Sequence, residues 1–139
     1  MLKWEIEDSF CLSLNNIYWQ IHFIIKWYIK VGDKMKYINT LNASIDYIEE
    51  NLKQEMTVND IANHVDMSEG DFQKLFSFIV ETPVMEYVRN RRLYLAALDI
   101  KETNMLIGDI GAQYTYYNHS SFTRAFTAFH GISPTALKL

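Results

Sequence analysis

The feature that most constrains this chain is a helical pattern of aromatic residues that occurs twice, 50 residues apart. Each copy places apolar residues at the i, i+3, i+4 and i+7 spacing of one helix face. The first copy consists of Phe72, Leu75, Phe76 and Ile79, and the second of Phe122, Ala125, Phe126 and Phe129. A recurrence at a fixed period indicates a duplicated supersecondary unit. The chain is therefore predicted to contain two similar helical modules.

A shorter helical segment precedes each of these helices, with a polar break between the two. In the first copy Thr57 and Asp60 match a capping box, and the break is Asp66-Met67-Ser68. In the second copy the short segment opens at Asp109 and reaches Tyr114 before its own break. Helix, tight turn and helix is the plan of the helix-turn-helix motif, whose second member lies in the DNA major groove.

A long helix is predicted between the two motifs. After Thr82-Pro83, apolar residues recur at helical spacing over 85–101, namely Met85, Val88, Leu93, Ala96, Ala97 and Ile100. A further amphipathic helix is predicted upstream, over 37–52. The predicted fold is all-α, with two helix-turn-helix subdomains joined by a linker helix in a domain spanning 35–139.

Together these stretches resemble the DNA-binding domain of the AraC/XylS family of bacterial transcription regulators. Three further segments carry the resemblance, Tyr47–Leu52, Glu86–Leu93 and Gly131–Pro134, and it covers residues 41–139. It implies a sequence-specific regulator that binds double-stranded DNA and has RNA polymerase as a further partner. Relatives with an N-terminal DNA domain and a GyrI-like domain look most similar, which implies a small-molecule effector bound by a domain absent from this sequence.

The polar faces of the two second helices supply the DNA contacts that the resemblance implies. Hydroxyl and guanidinium groups suit base edges, and Arg pairs with guanine through two hydrogen bonds. The implied base-reading residues are Gln73, Lys74, Ser120, Ser121 and Arg124. The implied phosphate contacts are Arg89, Arg91, Arg92 and Thr123. The two reading helices would enter successive major-groove segments about 34 Å apart on one face of the duplex.

Several positions depart from the family pattern. Glu81 and Thr115 stand where the family usually has Gly, and a non-Gly residue in a left-handed conformation costs on the order of 1 kcal/mol. Gly131, in contrast, is placed to end the second reading helix in a left-handed turn. Glu69 and Asp71 bring negative charge near the DNA face of the first motif. The second motif is therefore predicted to be the principal reader of sequence.

The charge balance is unusual for a DNA-binding protein. The chain has 13 Lys and Arg against 17 Asp and Glu, a net charge of −4 with a pI of about 5.5. DNA-binding faces are usually basic. Part of the acid is assigned to helix starts, where it offsets the helix dipole, at Glu49, Glu50, Asp60 and Asp109. A local basic stripe on an acidic body is therefore expected.

The sequence lacks the signatures of the main enzyme and metal-binding classes. The single Cys11 excludes a disulfide framework and fits a reducing, cytoplasmic setting. The 4 His residues show no metal-ligand spacing, and His130 is interpreted as a cation that suits a helix end. No nucleophile elbow and no phosphate-binding glycine loop occur. We expect no catalysis, no cofactor and no metal.

Residues 1–34 lie outside the family pattern and are treated as an N-terminal extension of unknown role. The apolar run 17–29 is interrupted by Lys26, and a membrane span needs about 20 largely uncharged residues, so no span is expected. Three interpretations stay open. They are a mis-assigned start, with Met35 as the natural beginning, an extra packing segment, and a helix that lies on a membrane surface through residues 12–31.

Two classes of function are consistent with the domain. The leading one is a sequence-specific, DNA-binding transcription regulator. The alternative is a helix-turn-helix protein-interaction module, or a fragment of a larger effector-responsive regulator with weak DNA binding. The acid on the first reading helix and the apolar N-terminal segment favour the alternative. A salt titration on duplex DNA separates the two, because phosphate contacts make DNA affinity fall with salt.

Overall fold

The computed structural model describes Ile21 and residues 35–139. Between 35 and 139 it contains helices α1 Met35–Glu50, α2 Val58–His64, α3 Glu69–Val80, α4 Val84–Glu102, α5 Ile107–Gln113, α6 His119–His130 and α7 Pro134–Lys138. These described residues form no strand, and the all-α prediction is confirmed. The interpretations of residues 1–34 lie outside the described residues, apart from Ile21, which is helical and buried.

The described residues divide into two compact units. One comprises 35–89 together with Ile21, and the other comprises 90–139. The first contains α1, α2, α3 and the start of α4, and the second contains the rest of α4 with α5, α6 and α7. Each unit therefore holds one helix-turn-helix motif, as predicted, and α4 is the predicted linker, one residue longer at each end than expected.

In the first unit, α2 packs against both α1 and α3. The α3 face predicted to be apolar buries Phe72 and Phe76, and the ring of Phe76 meets Tyr87 of α4 edge-on at 5.5 Å between centroids. The Tyr87 hydroxyl donates to a carboxylate oxygen of Glu49 over 3.5 Å.

Glu49 and Glu50 are the last two residues of α1. Their assignment to a helix start was therefore wrong, and they do not offset a helix N-terminus.

The second unit is built on a continuous apolar core. Its buried members come from α4, α5, α6 and the residue that follows α5, namely Leu93, Ala96, Ala97, Ile100, Ile110, Tyr114, Phe122 and Phe126. Gly111 of α5 is also buried, and a Cβ atom built there would lie 2.9 Å from Cγ of Phe122. This distance is below any ordinary contact, so glycine at 111 allows α5 and α6 to approach at this point.

The turns that end α2 and α5 have the same hydrogen bonds. The N–H of Met67 donates to the carbonyl of Ala62, and the N–H of Tyr116 to that of Gly111, over 3.0 and 2.9 Å. The residue before each donor is left-handed, with φ of 55° at Asp66 and 71° at Thr115. This is the Schellman arrangement, here formed without glycine. The left-handed backbone predicted at Thr115 is confirmed.

The period of the duplication differs by one residue between its two halves. Helix α5 begins 49 residues after α2, at Ile107 against Val58, whereas α6 begins 50 residues after α3, at His119 against Glu69. The turn of the second motif is therefore one residue longer. Because the Schellman bonds are equivalent, the additional residue lies after Tyr116.

Side chains cap the helices where the sequence predicts. The Thr57 hydroxyl accepts from the N–H of Asp60, and the Asp60 carboxylate accepts from the N–H of Thr57, which completes the capping box. The hydrogen bonds from the Thr57 hydroxyl and N–H lower the pKa of Asp60. Ser68 caps α3 and Asn118 caps α6 through their side-chain oxygens.

Candidate nucleic-acid interface

The outer face of α6 presents a row of small hydrogen-bonding side chains around one cation. The predicted reading residues Ser120, Ser121 and Arg124 are all exposed, and Thr123 is half-buried. The opposite face holds Phe122 and Phe126 in the core, and this fixes the direction of the polar face. Side chains along the outer face line a shallow, open depression, which includes Arg124 and Thr127. No carboxylate occurs in α6.

The outer face of α3 differs in charge. Its predicted reading residues Gln73 and Lys74 are exposed, as expected. Glu69 and Asp71 in its first turn are exposed as well, and the remaining first-turn residue on this side is Gly70. Carboxylates at a helix N-terminus stabilise the helix through its dipole, but they oppose the approach of phosphates. The α3 face therefore combines predicted reading side chains with carboxylates that repel a polyanion.

The structure separates the three arginines predicted to hold phosphates. Arg89 is exposed on α4, whereas Arg91 and Arg92 are buried, at 7% and 8% exposure. The guanidinium of Arg91 lies 5.1 Å from the ring centroid of Tyr94, a cation–π contact within the second unit. Phosphate contact stays a prediction for Arg89, while burial disfavours it for the other two.

The histidine interpretation needs a correction. His130 ends α6, as predicted, but it is buried, and its Nε2 donates to the carbonyl oxygen of Leu93 over 2.9 Å. Its ring packs 4.3 Å from Phe126 and 4.7 Å from Phe129 between centroids. It therefore ties α6 to α4 within the core. His130 lies four residues after Phe126, at the spacing of the apolar repeat, and this position was the sequence signal for its burial.

One exposed residue on the first reading helix was missed. Phe78 of α3 has 84% of its surface exposed, and it lies outside the apolar set of Phe72, Leu75, Phe76 and Ile79 that the sequence pattern identified. It follows the exposed Ser77 and lies four residues after Lys74. The α3 face therefore carries a large apolar group beside its polar ones.

No described helix has the length and apolarity needed to cross a membrane.

Comparisons with known proteins agree with this geometry. A family model described as "Helix-turn-helix domain" matches residues 61–138. The HTH-type transcriptional activator AarP of Providencia stuartii is 37% identical over 93 residues, which cover 67% of this chain and 69% of AarP. The regulatory protein SoxS of Salmonella typhimurium is 28% identical over 92 residues, which cover 66% of this chain and 86% of SoxS.

Solved structures share the fold. A transcriptional regulator of Chromobacterium violaceum, described as containing an AraC-type DNA-binding domain, superposes with a TM-score of 0.69 at 22% identity, covering 72% of this chain and 89% of that one. The C-terminal domain of the response regulator yesN from Fusobacterium nucleatum gives 0.68 at 20% identity, covering 73% and 99%. The matched family model, the similarity to AarP and the two motifs with exposed polar faces lead to one conclusion. This chain belongs to the AraC family of helix-turn-helix proteins and is a DNA-binding transcriptional regulator.

Proposed function

We propose that α3 and α6 are the reading helices and that α6 supplies most of the sequence preference. The observation that carries this proposal is the outer face of α6, where Arg124 stands among exposed serines with no carboxylate in the helix. Arg presents a planar fork that pairs with the O6 and N7 atoms of guanine, and Ser adapts to several base edges. Such a bidentate contact discriminates between bases by about 1–3 kcal/mol.

We assign α3 a weaker reading role. Gln73 suits adenine and Lys74 suits guanine, and both are exposed. Glu69 and Asp71 reduce the attraction of this helix for the phosphate backbone. Among the predicted phosphate contacts, exposure supports Arg89, and the hydroxyl of Thr123 is a further donor at the edge of the α6 face. These two contacts would fix register without reading sequence.

Transcriptional activation is the regulatory role that the similarity to AarP supports, since that relative is named an activator. The cytoplasmic location and the contact with RNA polymerase that the resemblance implies stay predictions. Response to a small-molecule effector through a GyrI-like or other additional domain also stays a prediction.

The experiment is a pair of binding titrations on a site selected from random duplexes and on a scrambled duplex, at several salt concentrations. Arg124→Ala should lose affinity for the selected site by about tenfold or more, with little change on the scrambled one. Arg89→Ala should weaken binding to both and reduce the salt slope by about 1. Lys101→Ala, which removes one charge from the last turn of α4, is the matched control. Equal losses on both duplexes for Arg124→Ala would contradict the assignment of α6 as the reader.

A further inference from the structure

The side chain of Phe78 is exposed, unlike the other phenylalanines of α3. Its exposed fraction is 84%, whereas Phe72 and Phe76 in the same helix are fully buried. At 100° per residue it projects from the same side of α3 as Lys74, and Ser77 beside it is also exposed. With α3 binding through the side of Lys74, as proposed above, this exposed phenylalanine borders the bound surface.

The ligand of α3 offers one apolar group that matches. In the major groove the C5 methyl of thymine is the apolar feature on the base edges, and phenylalanine is one of the side chains that contact it. Four residues along a helix advance by about 6 Å, which is close to two base-pair steps of about 3.4 Å. Phe78 can thus reach a base pair near the one that Lys74 contacts.

We propose that Phe78 is a specificity-determining residue that reads thymine by packing against its C5 methyl group. The proposal rests on the proposed function, in that α3 must lie in the major groove. At the corresponding position of α6, 50 residues on, the exposed side chain is Ala128. Alanine also contacts the thymine methyl, but it is shorter, so the α3 half-site should show the stronger thymine preference.

A protein partner fits this surface less well. Stable protein interfaces bury about 800 Å² on each side, around an apolar centre. Along α3 the exposed neighbours of Phe78 one turn away are Lys74 and the C-cap residue Glu81. The apolar residues nearest to it along α3, Leu75 and Ile79, are half-buried. Phe78 is thus the one exposed apolar side chain of α3, which makes a small apolar centre for a protein partner but suffices for one methyl group.

The test uses the full chain and the selected duplex. Each thymine of the α3 half-site is replaced in turn by uracil, which lacks only the C5 methyl, and affinity is measured for the wild type and for Phe78→Ala. At one thymine, uracil should weaken wild-type binding by about fourfold, the effect of burying one methyl group. For Phe78→Ala the same replacement should have no effect, so the two changes are not additive. Tyr37→Ala, which removes another exposed aromatic side chain in α1, should keep the wild-type uracil effect.

Two results would overturn the proposal. One is that no thymine loses its methyl effect in Phe78→Ala. The other is that Phe78→Ala binds the selected duplex as the wild type does and loses only an interaction with another protein. A failure of the underlying function looks different, because the selection would then return no preferred duplex, or Lys74→Ala and Gln73→Ala would leave the α3 half-site preference unchanged.

Discussion

The hydroxyl of Tyr114 donates a 2.7 Å hydrogen bond to the carboxylate of Asp99, which joins the end of α5 to the linker helix α4. Tyr114 is also a buried member of the second core. Burial, the hydrogen bond to Asp99 and the charge of Asp99 all raise the pKa of the Tyr114 phenol. The bond therefore contributes both to packing and to the pH dependence of stability.

Tyr114→Phe should lower the free energy of unfolding by about 1.5 kcal/mol, the low end for a hydrogen bond to a charged group, because the pair is only partly buried. In the unfolded chain tyrosine loses its proton near pH 10. The folded phenol keeps its proton above that pH, so the contribution of Tyr114 to stability is complete below pH 10 and is lost as pH rises further.

Denaturant titrations from pH 8 to 11 should show a difference in the free energy of unfolding between wild type and variant that narrows above pH 10. Tyr117→Phe, at an exposed position, is the control and should leave stability unchanged. A constant difference would contradict the raised pKa.

The two glycines of α5 give opposite predictions for alanine. At Gly111 a Cβ atom would lie 2.9 Å from Cγ of Phe122, whereas at Gly108 nothing lies within 4 Å. Alanine adds about 1 kcal/mol of helix propensity at either place. At position 111 its Cβ atom would also overpack the contact with Phe122, which costs about 1–3 kcal/mol. Gly111→Ala should therefore destabilise by about 1 kcal/mol, and Gly108→Ala should stabilise by a similar amount, in thermal or urea unfolding. If both variants are stabilised, the close approach of α5 and α6 is not needed for packing.

The residues that end the two reading helices make a matched pair. Glu81 and Gly131 are both left-handed, with φ of 61° and 74°. A non-glycine residue in this left-handed conformation costs about 1–2 kcal/mol of strain. A glycine there instead costs about 0.5–1 kcal/mol, because it loses more conformational entropy on folding. Glu81→Gly should thus raise the unfolding free energy by about 0.5–1 kcal/mol, and Gly131→Ala should lower it by about 1 kcal/mol. Unfolding curves of the two variants under the same conditions test this prediction, and shifts of the same sign would refute it.

The acids at the start of α3 should limit DNA affinity. The double variant Glu69→Gln with Asp71→Asn removes two negative charges from an exposed reading face, so binding should strengthen several-fold on selected and scrambled duplexes alike. The gain should be largest at low salt, because screening weakens these repulsions. Loss of the favourable dipole interaction should cost the helix about 0.3–1 kcal/mol per charge. Glu102→Gln, which removes one charge from an exposed acid at the end of α4, is the control. Half the gain in binding free energy there would show that net charge alone is responsible.

The sequence predicted most of the fold, because local chemistry decides it here. Spacing of the phenylalanines gave the buried faces of α3 and α6, and Thr57 with Asp60 gave the cap of α2. Left-handed backbone at Glu81 and Thr115 followed from the family resemblance, because the family usually has Gly at both positions. Each of these features depends on residues a few positions apart.

Features that depend on tertiary contacts were not predicted. The assignment of Arg91 and Arg92 to phosphates followed from residue type, since arginine is usually exposed, although Arg92 lies four residues after the buried Val88. The bond from His130 to Leu93 joins residues 37 positions apart. Phe78 was missed because it lies outside the apolar face of α3, and the polar residues of the outer face drew the assignment of contacts instead. The phosphate and reading roles themselves depend on a partner, and the geometry of the free chain supports them without fixing them.

The additional residue in the second turn has a consequence for how such regulators diverge. By the matching of the two motifs it is Tyr117, between the hydrogen-bonded Tyr116 and the capping Asn118, and 75% of its surface is exposed. Length changes at an exposed loop position cost little, because they disturb neither the turn nor the core. A residue can therefore be inserted or deleted here while both helices of the motif keep their packing. The connection within the motif can change in length without a loss of foldability.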